Sequence, residues 1–73
     1  MKATNKHIYK EIERLKAEIM QESIVIDDIV IKEQKNDTLE IELLDKEKHV
    51  IKRIKGNYYS VFVDMKLIYY GLI

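Results

Sequence analysis

The sequence predicts an α+β fold: an N-terminal amphipathic helix packed on a four- or five-stranded antiparallel β-meander. Three observations carry this expectation. Apolar residues recur at helical spacing near the start, they alternate residue by residue afterwards, and turn-forming residues interrupt the alternation.

The helix is expected over about residues 5–23. Ile8, Ile12, Leu15 and Ile19 follow one another at spacings of 4, 3 and 4, which gathers them into one stripe. Tyr9 and Met20 flank that stripe, and Lys6, Lys10, Glu13, Arg14 and Gln21 take the opposite face. Thr4 or Asn5 is the candidate N-cap. Arg14 and Glu18 stand one turn apart and suit an ion pair. The β-branched run Ile24-Val25-Ile26 ends the helix.

Strands are expected over about residues 28–34, 38–44, 49–55, 58–63 and 67–70. Register follows from facing apolar residues with apolar residues, because a one-residue slip reverses every face. A three-residue loop around Asn36-Asp37 sets Ile31 against Ile41, Ile29 against Leu43 and Lys32 against Glu40. Asn and Asp tolerate the left-handed backbone such loops need. A four-residue turn at Asp45-Lys46-Glu47-Lys48 sets Leu43 against Val50, Leu39 against Ile54 and Glu40 against Arg53. It also turns Lys52 inward, its stem along the core edge and its amine in water. Gly56-Asn57 reads as a type II′ hairpin turn that pairs Ile54 with Tyr59 and His49 with Asp64. Asp64-Met65-Lys66 would turn the chain once more, the alternative being one long strand from Tyr58 to Tyr70. The core face then collects Ile29, Ile31, Leu39, Ile41, Leu43, Val50, Ile54, Tyr59, Val61, Val63, Leu67 and Tyr69, with the helix as its cover.

An alternative is a small Sm/SH3-like barrel with the helix capping one end. The order of a helix followed by five strands resembles the Sm-like RNA-binding proteins. The resemblance lies in element order. That pattern places a glycine and an Asp/Asn pair at set points in the second and third strands, and Leu39–Val50 contains no glycine.

With 73 residues the chain is expected to form a single domain, 1–73. So short a chain has a small core, and oligomerisation is a common remedy. It has no cysteine, which excludes disulfides and thiolate metal sites and suits a cytoplasmic setting. The longest apolar run, Leu67–Ile73, is far short of the roughly 20 residues that span a bilayer, so no membrane partner is expected. Net charge is zero but uneven: residues 1–16 and 46–73 are basic and residues 17–45 acidic. That distribution suits neighbouring strands of opposite charge better than a nucleic-acid footprint.

No phosphate-cradling glycine loop, nucleophile elbow or paired-histidine zinc helix is present, so no enzyme and no cofactor is expected. His49 opposite Asp64 reads as a surface ion pair, and Asp27-Asp28 as a turn or cap. The informative feature is the outer sheet face, where this register places Ile51, Phe62 and Ile68 beside Tyr58 and Tyr70, with Arg53 at the rim. A solvated face should be mostly polar, and contiguous apolar patches mark binding surfaces. The uncharged end Leu67–Tyr70 suits strand pairing with a second chain. The expected function is therefore a protein-interaction module, a regulator, inhibitor or adaptor, acting as a homodimer or on another protein. The alternative is RNA or single-stranded DNA binding through Tyr58, Phe62, Arg53 and Lys55, with bases stacked on the aromatic rings.

Overall fold

The computed structural model describes residues 2–72, with side chains placed over 5–71. The chain runs α1 (Lys2–Glu22), β1 (Asp28–Glu33), β2 (Thr38–Leu44), β3 (Val50–Asn57) and α2 (Tyr58–Leu72). The strands form one antiparallel sheet in the order β1-β2-β3. It is an α+β domain with an N-terminal helix on an antiparallel meander, as expected, but it has three strands and a second helix.

α1 buries Ile12, Leu15 and Ile19, with Ile8, Tyr9 and Met20 packed at the margin. It begins by Lys2, so Thr4 and Asn5 lie inside the helix and neither caps it. Arg14 pairs with Glu11 at 2.6 Å, not with Glu18. The helix closes at Ser23, whose hydroxyl accepts hydrogen bonds from the Val25 and Ile26 amides at 3.2 and 2.9 Å.

The first hairpin has the expected register: Ile29 faces Leu43, Ile31 faces Ile41, and Lys32 faces Glu40. Asn36 and Asp37 supply the left-handed residues of its loop, with φ of 59° and 55°. In the second hairpin the expected register is two residues out. Ile41 faces Ile54, Glu42 faces Arg53, and a bulge leaves Ile51 without a partner. This alignment buries Ile54 at the centre instead of Lys52. A two-residue slip preserves the faces, so Lys52 remains on the helix side, at the sheet edge beside Asp64, Leu67 and Ile68.

The larger correction concerns residues 58–72. The expected strands 58–63 and 67–70 are one helix, and no barrel forms. Gly56-Asn57 is not a type II′ turn, since no glycine has positive φ. Asn57 instead caps α2: its side-chain oxygen accepts the Ser60 amide at 2.8 Å, and its carbonyl accepts the Ser60 hydroxyl at 3.1 Å. Gly56 lies on the inner face, beneath the first turn of α2. A Cβ there would collide with the Ser60 hydroxyl oxygen, so a side chain at 56 would force Ser60 to rotate.

The two helices cover the same sheet face, α2 over β3 and β2 and α1 over β1. They run in the same direction. Tyr9 meets Tyr58 near their starts, and Leu15 and Glu18 share a groove with Tyr69 and Tyr70 further along. The core between helices and sheet is Ile12, Leu15, Ile19, Ile29, Leu39, Ile41, Leu43, Ile54, Val61 and Met65. Of the expected core, Val50, Tyr59 and Leu67 are exposed, while Met65, expected in a turn, is fully buried.

Candidate functional site

The residues expected to form one outer sheet face are divided among three places. Ile51 is exposed at the β3 bulge. Arg53 and Lys55 are on the outer sheet face, where they meet acid rather than an apolar stripe. The Arg53 Nε lies 3.1 Å from Glu42 Oε2 and 3.2 Å from Glu40 Oε2. Lys32 closes on Glu42 from β1 at 3.4 Å, and Lys55 faces Glu40. Lys32 of β1, Glu40 and Glu42 of β2, and Arg53 and Lys55 of β3 thus form a ladder of opposite charges across the outer face, with an acidic β2 against a basic β3 as the uneven charge distribution suggested. The Glu42 carboxyl is held below the usual range, first by its hydrogen bond to Arg53 and then by Lys32.

Phe62 and Ile68 are on α2 and pack half-buried against the core. They lie in the helix layer and not on the sheet, so they do not form an outer sheet face with Ile51. Lys66 places its ammonium 5.1 Å from the Phe62 ring centre, further covering it. Tyr58 is half-buried at the first turn of α2, edge-on to Tyr9 at 6.4 Å. It donates a hydrogen bond to Glu33 at 3.0 Å. Burial first, then that hydrogen bond and the charges of Glu33 and Asp37, raise the Tyr58 pKa. Tyr9 is raised by burial and by Glu13 and Glu33. Only Tyr70 of the expected α2 residues faces outward, 59% exposed.

Tyr70 belongs to a second stripe that the strand reading concealed. Along α2 the apolar side chains buried in the core or packed against it are Tyr58, Val61, Phe62, Met65, Ile68 and Tyr69. At about 100° per residue they fill one side of the helix. Tyr59, Val63, Leu67 and Tyr70 fall within about 80° of one another on the opposite side. Tyr59 and Leu67 are each 64% exposed, and Val63 is half-buried. Asp64 and Lys66 are the only charged residues of α2, and they flank this stripe on either side. The helical spacing of Tyr59, Val63, Leu67 and Tyr70 was the signal available in the sequence. The pairing of Leu67–Tyr70 with a second chain as a strand is lost with the strand itself.

His49 does not meet Asp64. It lies in the β2–β3 loop with Nδ1 3.7 Å from Asp45 and 3.6 Å from Glu47. Their ligand atoms come within 4.8 Å of one another in an exposed position. Asp45 Oδ1 already accepts the Glu47 and His49 amides at 2.9 Å each, which shapes the turn. Asp28 accepts the amide of Ile29 at 2.8 Å. Among the described residues no helix is long and apolar enough to cross a membrane. No protein-family model, curated protein or solved structure matches the chain.

Proposed function

We propose that the protein is a small non-enzymatic interaction module that docks another protein surface on the outward face of α2. One observation supports this above the rest: α2 is apolar on both sides while only one side is covered by its own fold. A surface helix normally turns charge toward water. Tyr59, Leu67 and Tyr70 instead leave an apolar, tyrosine-rich strip exposed, and tyrosine is favoured at the centres of protein interfaces. The role fits an adaptor, inhibitor or regulator. Its binding residues are then Tyr59, Val63, Leu67 and Tyr70, with Tyr70 alone retained from the outer-face set.

Nucleic acid is the weaker reading. Base stacking on Tyr58 and Phe62 requires open ring faces, and both rings are packed against the fold. Arg53 is held between Glu40 and Glu42, which leaves little to neutralise phosphate.

The test is site-specific photo-crosslinking in the source cell. A photoreactive phenylalanine analogue at Leu67 should give a discrete protein adduct, and the same group at Lys32 on the outer sheet face should give none. Equal labelling from both sites, or none from Leu67, would remove the reading.

A further inference from the structure

We draw no further inference here: the strongest candidate, the exposed side-chain cluster of Asp45, Glu47 and His49 in the β2–β3 loop, carries nothing, because no second observation points to a bound ion.

Discussion

Met65 and Leu67 are two residues apart, and a helix and a strand pair assign them opposite fates. In the helix Met65 is fully buried and Leu67 is 64% exposed. In a hairpin turning at Asp64-Met65-Lys66, Met65 would be at the exposed tip and Leu67 in the core. Truncating a buried methionine to alanine costs about 2–5 kcal/mol, from lost transfer energy and the cavity left behind. Met65 is fully buried in the core that both helices share with the sheet, so at least about 2 kcal/mol is expected. Leu67→Ala removes an exposed side chain and substitutes a better helix former, so it should stay within about 0.5 kcal/mol. For a domain of this size each kcal/mol shifts Tm by about 4–8 °C. Met65→Ala should thus lower Tm by about 8 °C or more, and Leu67→Ala by less than about 4 °C. The assay is urea and thermal denaturation followed by circular dichroism at low micromolar concentration. Met65→Leu, which keeps the volume, should cost less than about 1.5 kcal/mol and guards against a variant that fails to fold. A larger loss from Leu67→Ala than from Met65→Ala would refute the helical assignment.

Three further outcomes follow. Asn57→Ala removes the acceptor of the Ser60 amide and should cost about 1 kcal/mol, whereas Asn57→Asp should retain nearly all the stability; equal losses in both melts would contradict the cap. The raised Tyr58 and Tyr9 pKa values mean that the folded state holds its protons longer than the unfolded chain. Their contribution is complete below the unfolded value near 10 and disappears as pH rises through the folded values. Absorbance titration at 295 nm should show a late phase that Tyr58→Phe diminishes, and uniform titration of all five tyrosines would contradict it. The lowered Glu42 pKa has the opposite sign: its contribution is present above the unfolded value near 4.3 and is lost as pH falls through the folded one. Glu42→Gln should therefore lose less Tm than the native chain between pH 7 and pH 2, and an equal loss would contradict the ladder.

The first half of the fold was legible because each segment there satisfies one period only. α1 has a polar face opposite Ile12, Leu15 and Ile19, and β2 alternates from Thr38 to Leu44, so neither admits a rival reading. Residues 58–72 satisfy both periods. Tyr59, Val61 and Val63 alternate as in a strand, and Tyr58, Val61, Phe62, Met65, Ile68 and Tyr69 recur as in a helix. With apolar residues on both sides, periodicity loses its power to decide. The abundance of tyrosine and valine, both favoured in strands, then tips the choice the wrong way. Two local signals pointed to the helix. Asn57 precedes Ser60 by three positions, as a cap precedes the amide it serves, and Asp64-Met65-Lys66 lacks the Gly or Asn of a tight turn. The same duality hid the site. Tyr59 and Leu67 were assigned to the core because they had the strand parity of Val61 and Tyr69, while in the helix they point the other way. On the sheet, the hairpin registers already set Lys32 and Arg53 against Glu40, and the two-residue slip of the second hairpin carries Arg53 on to Glu42.

The docking face depends on residues 58–72 being helical, and backbone NMR shifts measure this residue by residue. An unbroken run of downfield Cα shifts from Tyr58 to Tyr70 is expected. Upfield shifts over 58–63 and 67–70, separated by a break at 64–66, would contradict it and return Leu67 to the core.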